Sequence, residues 1–108
     1  MKNLFLTFVL AISILPVSGF AASHYAGGRI TNITTYPGGT LIMIDAALPD
    51  NCAGTPYGWM LVREEHKTMN SLVLTMWATG KTKATIYTKP KTDTSYCELT
   101  QIDPGEGQ

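Results

Sequence analysis

The chain has two cysteines, Cys52 and Cys97, and its opening residues place them where thiols oxidise. Lys2 is followed by an apolar run from Leu4 to Leu15, broken only by Thr7 and Ser13. Pro16 ends that run, and Gly19 and Ala21 are the small residues that precede a cut. This is the layout of a secretory signal peptide over residues 1–21. An uncleaved anchor is the alternative, but the run is short for a bilayer and no second one follows. No cysteine stands at the cut, which argues against a lipoprotein. Export makes a Cys52–Cys97 disulfide the default expectation. Two free thiols are the other option. A metal site has less support, because two thiols with His24 and His66 lack zinc-ligand spacing. The bridge closes a loop of about 45 residues, worth roughly 4 kcal/mol in chain entropy. For a chain this small, that staple bears on whether it folds at all.

Cleavage leaves about 87 residues, residues 22–108, enough for one small domain. Across the full chain eight Lys and Arg balance eight Asp and Glu, and the part after the cut, which loses only Lys2 among them, stays near neutral. Nucleic acid and anionic membrane both want a basic face, so neither is expected as a partner. Lys81, Lys83, Lys89 and Lys91 cluster, but they flank one strand and read as its solvated ends.

Residues 22–28 read as a flexible lead-in. Arg29 to Thr35 is rich in Ile and Thr and favours a strand, with a bulge near Thr31-Asn32 to restore alternation. Tyr36-Pro37-Gly38-Gly39 is a turn, since Pro presets φ and Gly accepts positive φ. Thr40 to Ala46 completes a hairpin. A loop dense in Pro, Gly, Asp and Asn follows, pinned by Cys52. Gly58 to Arg63 is apolar on both faces, which suits a central strand. Met69, Leu72, Val73 and Met76 then repeat at helical spacing. The helix is expected to start near Thr68, capped by Thr68 or Asn70, and to stop at Gly80. Lys83 to Thr88 and Ser95 to Ile102 alternate as strands, the latter with Cys97 and Leu99 on one face. Residues 103–108 read as a frayed tail.

The order strand, strand, strand, helix, strand, strand predicts a mainly β fold, α+β at the margin. Its form is a small five-stranded OB-type Greek-key barrel with one helix between the third and fourth strands and one disulfide. An open sheet with a helix on one face is the fallback.

One stretch goes further. In Met69 to Pro90, Trp77-Ala78-Thr79-Gly80 ends the helix and Ile86-Tyr87 closes the next strand. This segment resembles the B subunits of subtilase-cytotoxin-type and pertussis-like toxins. It covers about a quarter of the chain well. The resemblance implies an OB-type barrel, a secreted or periplasmic bacterial protein, a ring of subunits and glycan binding. It carries no sugar-contacting motif onto this chain.

No constellation for catalysis is visible. Ser23, Ser71 and Ser95 sit in no Gly-x-Ser-x-Gly turn, and the adjacent Glu64 and Glu65 point apart on any regular element. The expectation is a non-enzymatic protein with no catalytic residues, no metal and no cofactor. Tyr36 and Tyr57 lie at turns, where an exposed ring can stack on the apolar face of a sugar, and they are the candidate ligand residues. Asn70, Leu74 and Trp77 flank the core face of the helix and form a candidate oligomer interface. The functional expectation is an exported binding or assembly module. Its partners would be further copies in a ring, a glycan or an envelope protein, without stable membrane insertion. A periplasmic accessory protein with no small ligand is the main alternative, and a small hydrolase or its inhibitor the other.

Overall fold

A computed structural model describes residues 20–105. The expected leader lies outside them except for Phe20–Ala21, as does the end of the tail, residues 106–108. The elements are β1 (Phe20–Ala21), β2 (Tyr25–Tyr36), β3 (Gly39–Ile44), β4 (Met60–Arg63), α1 (Lys67–Thr79), β5 (Lys83–Lys89) and β6 (Cys97–Pro104). Two short 3-10 turns, Asp50–Cys52 and Pro56–Gly58, lie between β3 and β4.

Strand pairing runs β1-β2-β3-β4-β6-β5, and β2 also pairs with β5. The five long strands therefore close on themselves, with α1 between the third and fourth of them, as the sequence order predicts. β1 is an addition, paired with Ala26 and Gly27. β2 manages its two long neighbours by dividing its length. Tyr25 to Arg29 pair with β5, and Ile30 to Tyr36 pair with β3. The register shifts between Ile30 and Asn32, where the bulge was expected and where the strand changes partner. A bulge adds local bend and twist, which is what a strand wrapping a closed sheet needs.

Both ends are more ordered than expected. Tyr25 to Gly28 belong to β2, not to a flexible lead-in. The Ala22 and Ser23 carbonyls accept from the amides of Asp50 (3.1 Å) and Asn51 (3.0 Å), and Thr88 N–H donates to the His24 carbonyl (2.8 Å). At the other end, Asp103 and Pro104 pair with Thr85 and Ala84 rather than fraying. The cause is closure. β5 has strands on both sides, and buried backbone donors and acceptors need partners along its full length.

The interior gathers Ile30, Ile42, Met60, Val62, Ile86 and Leu99, closed at one end by Val73 and Met76 of α1. Met69 and Leu72 pack partly against it, so the stripe read from the sequence is the buried one. The helix begins at Lys67, and its first turn has no side-chain cap; neither Thr68 nor Asn70 serves there. Gly80 ends it in the left-handed region at φ 77°, as expected. In the β2–β3 turn, Gly39 sits at φ 141°, and a Cβ there would run into the Val62 carbonyl oxygen. Only glycine fits where β3 presses onto β4.

Cys52 and Cys97 form the disulfide, both almost fully buried. They tie the first 3-10 turn to the start of β6. The position matters because β4 and β6 make the one parallel contact among the described residues, of just two residue pairs, Met60 with Cys97 and Leu61 with Glu98. Removing the bridge frees a 45-residue loop in the unfolded chain. A Cys52→Ser, Cys97→Ser variant is expected to lose about 4 kcal/mol in urea unfolding. A reductant should weaken the parent protein and leave the variant unchanged. A loss below about 1 kcal/mol would show that the seam holds without sulfur.

Candidate functional site

β4 has buried side chains on both faces. Met60 and Val62 enter the interior, whereas Leu61 points outward and is still only 1 % exposed. Its cross-strand partners continue the row, Leu41 on β3 and Glu98 on β6, both buried. The outer face of β3, β4 and β6 thus carries a second small buried cluster with a carboxylate at its edge.

That carboxylate organises the site. Glu98 Oε2 accepts from Arg63 Nη1 at 2.9 Å and from Thr92 Oγ1 at 2.8 Å. Its Oε1 lies 3.6 Å from Lys89 Nζ and accepts no hydrogen bond. Arg63 also donates to Asp93 at 2.7 Å and to Glu65 at 3.0 Å. The segment 90–96 between β5 and β6 is thereby fastened to the sheet by Thr92 and Asp93. A buried charge is tolerable only when paired and hydrogen-bonded, and here one guanidinium serves three carboxylates.

The titration of the groups follows. Asp93, then Glu65 and Glu98, hold the Arg63 guanidinium above its ordinary range, so it stays charged. Arg63 and then Thr92 draw the Asp93 carboxyl down to about 2. Glu65 is also lowered, first by a backbone hydrogen bond and then by Arg63. Next to this cluster the Tyr36 ring meets Tyr96 edge-on, with centroids 6.0 Å apart. Partial burial, then Tyr96, raises the Tyr36 hydroxyl. The arrangement is a clamp whose polar groups are spent mostly on one another. Outward it presents the half-open Tyr36 ring and the exposed side of Asp93.

The sequence-derived candidates fall into separate places. Tyr36, Tyr57, Leu74 and Trp77 are the large hydrophobic residues that stand exposed among the described residues. Tyr36 and Tyr57 do not form one platform. Tyr57 precedes the start of β4, whereas Arg63 at its end pairs with Gly39, the partner of Tyr36. Tyr57 is 88 % exposed and sits at φ 56°, ψ 17°, in the left-handed region. Asn70 lies on the same side of α1 as Leu74 and Trp77 but is half-buried, and its amide is engaged by the sheet. Its Nδ2 donates to the carbonyls of Arg63 (2.8 Å) and His66 (2.9 Å), and its Oδ1 accepts from Thr40 Oγ1 at 2.6 Å. Asn70 fastens the first turn of α1 to β3 and β4, because an amide can bridge carbonyls and a hydroxyl at once. Leu74 and Trp77 remain on the surface, 46 % and 41 % exposed.

The surface of the described residues also carries clefts. One of about 520 Å³ lies beside the start of α1, floored by Met69, Leu72 and Ile102 and rimmed by Glu65, His66 and Lys67. Another, about 210 Å³, adjoins the disulfide and is lined in part by Asn51, Thr55, Lys91 and Ser95. Among the described residues no group of three or more His, Cys, Asp or Glu could hold a metal ion, and no helix is long and apolar enough to cross a membrane.

Sequence reasoning missed the Arg63–Glu98 clamp. The available signal was a strand apolar on both faces beside a strand whose outward residues include an acid. A doubly apolar strand implies a cover on each side, and the acid beneath that cover requires a cation.

Acid should loosen the clamp. The folded-state pKa of Asp93 is about 2 against an ordinary 3.8. Its contribution to stability is therefore complete above the ordinary value and disappears as pH falls through the folded one. Asp93→Asn is expected to flatten the acid limb of a stability–pH curve between those two values; superimposable curves would contradict the pairing. At Tyr57, a non-glycine residue in the left-handed region costs about 1–2 kcal/mol, partly offset by the greater freedom of glycine when unfolded. Tyr57→Gly should accordingly raise stability by up to about 1 kcal/mol in thermal melts. A lower melting temperature would mean that the exposed ring packs.

Comparison with protein-family models finds none that matches this chain, and searches among curated proteins and solved structures return no match.

Proposed function

We propose that this chain is an exported, non-enzymatic binding and assembly module that associates with copies of itself through the outer side of α1. One observation carries the reading: α1 has no charged residue from Thr68 to Thr79, although Ser71, Leu74, Thr75, Trp77 and Ala78 are all exposed. A surface helix ordinarily sets charged side chains against water. A face with Leu and Trp and no charge meets a second copy without repulsion and gains by leaving water. The disulfide fits an oxidising compartment, which supports export. The Tyr36–Tyr96 corner supports the binding half, since a half-open ring beside a carboxylate suits a hydroxyl-rich ligand with an apolar face.

The helix makes the decisive test. Chain starting at Ala22, with its bridge formed, is expected to appear in native mass spectrometry as multiples of the subunit mass. Leu74→Lys should shift it to monomer while leaving the melting temperature within a degree or two, because Leu74 is half exposed. A wild-type chain that stays monomeric at high micromolar concentration would overturn the reading.

A further inference from the structure

Removal of the leader exposes a tripeptide with chemistry of its own. A cut after Ala21 leaves a chain that begins Ala22-Ser23-His24, with a free α-amine on Ala22. We infer that the cut creates a copper(II) site on this tripeptide, built from the Ala22 amine, the backbone nitrogens of Ser23 and His24, and Nδ1 of the His24 ring. The inference rests on the export reading above and is independent of self-association.

The spacing of the donors selects the metal. A histidine third from a free amine lets its Nδ1 and the consecutive chain nitrogens lie at the corners of one plane, each neighbouring pair closing a small chelate ring. Square-planar nitrogen coordination suits Cu(II) and Ni(II), with Cu(II) the tighter of the two, whereas Zn(II) prefers a tetrahedron. Binding displaces a proton from the Ala22 ammonium and the amide protons of Ser23 and His24; these pass to water, and no electron moves. The uncut chain cannot do this, because there the Ala22 nitrogen is an amide joined to Ala21, the last residue of β1. Most of the donors belong to the backbone, so the spacing of His and Cys side chains gives no sign of them.

The fold holds the tripeptide by its oxygens. Ser23 and His24 are exposed. The Ala22 carbonyl accepts from Asp50 N–H at 3.1 Å, the Ser23 carbonyl from Asn51 N–H at 3.0 Å and the His24 carbonyl from Thr88 N–H at 2.8 Å. Among the described residues the backbone nitrogens of Ser23 and His24 donate to no backbone acceptor. A chelate of this kind needs the same division, with nitrogens toward the metal and carbonyls away from it. Loss of an amide proton also puts negative charge on the peptide group, so the Asp50 and Asn51 donors then meet a stronger acceptor. Ala22 N–H bonds the Tyr25 carbonyl at 2.8 Å, so the chain is already turned back here, and a coordinated amine keeps N–H groups for that bond. The His24 Nδ1 lies 3.1 Å from Ser23 Oγ, which turns this nitrogen back along the tripeptide.

Titration with Cu²⁺ alone tests the site. Chain beginning at Ala22, with its disulfide formed, should take up an equal amount of Cu²⁺ at neutral pH, turn violet and give the electron paramagnetic resonance spectrum of nitrogen-only coordination. In chelator competition His24→Ala should bind weaker by on the order of 100-fold or more, since losing a ligand costs more than losing an outer-shell partner. Ser23→Ala and His66→Ala should bind as the parent does. A chain that keeps Phe20-Ala21 ahead of Ala22 should behave like His24→Ala, because it lacks the amine. Equal affinity in the parent and His24→Ala would overturn the inference and leave export standing. The N-terminus of chain recovered after export of the full-length precursor is then sequenced. A start at Ala22 supports the site. A start at any other residue, Ser23 included, overturns it while export holds, because the histidine is no longer third. A precursor that stays uncut overturns both.

Discussion

The closed sheet is only as strong as its shortest seam, and that seam is β4 against β6. Every other long-strand contact is antiparallel and spans four residue pairs or more, whereas this one is parallel with two. Two strong interactions unlike the rest of the sheet meet there. On the inner side the Cys52–Cys97 bridge holds Cys97, the first residue of the seam. On the outer side the Arg63–Glu98 ion pair holds Glu98, the second. One link is covalent and acts largely by restricting the unfolded chain. The other is electrostatic and acts in the folded state, where Glu98 without Arg63 would be a poorly compensated buried charge. Opening the seam would part β6 from β4, leave the strands joined as an open sheet through β2 and β5, and expose the interior at the gap.

How much of this was readable depends on whether the determining forces are local. The bulge in β2 was legible because Ile30 and Ile33 break strict alternation, and a bulge is the local repair. The stop at Gly80 and the stripe from Met69 to Met76 were legible for the same reason. The hydrogen bonds of Asn70 were not legible because they are set by Thr40 and the Arg63 carbonyl, residues from elements that the helix meets only after folding. The ends were misjudged likewise. Gly27-Gly28 and Asp103-Pro104 have poor strand propensity, yet sheet closure supplies them with partners. The clamp was the largest omission, since it assembles residues from three separate segments around a carboxylate that resembles any solvated acid in the linear chain.

The surface divides into regions with different demands. The Arg63 cluster spends its charge internally and leaves an aromatic corner. The helix leaves an uncharged flank and, across the core stripe, an apolar cleft. These features sit on the frame that the seam stabilises, so the interactions that make so small a domain rigid also hold its outward-facing groups in position.

The turn at Gly39 and the segment around Tyr57 lie at opposite ends of β4 and differ sharply in tolerance. At Gly39 the backbone of β4 fills the space that any side chain would need. Around Tyr57, Cβ atoms built at Gly54 and Gly58 meet nothing within 4 Å. That second segment is anchored at its base by Cys52 and opens outward beyond it. It is a natural grafting point for an epitope or a reporter peptide, a place where foreign sequence could be displayed without disturbing the closed sheet beneath.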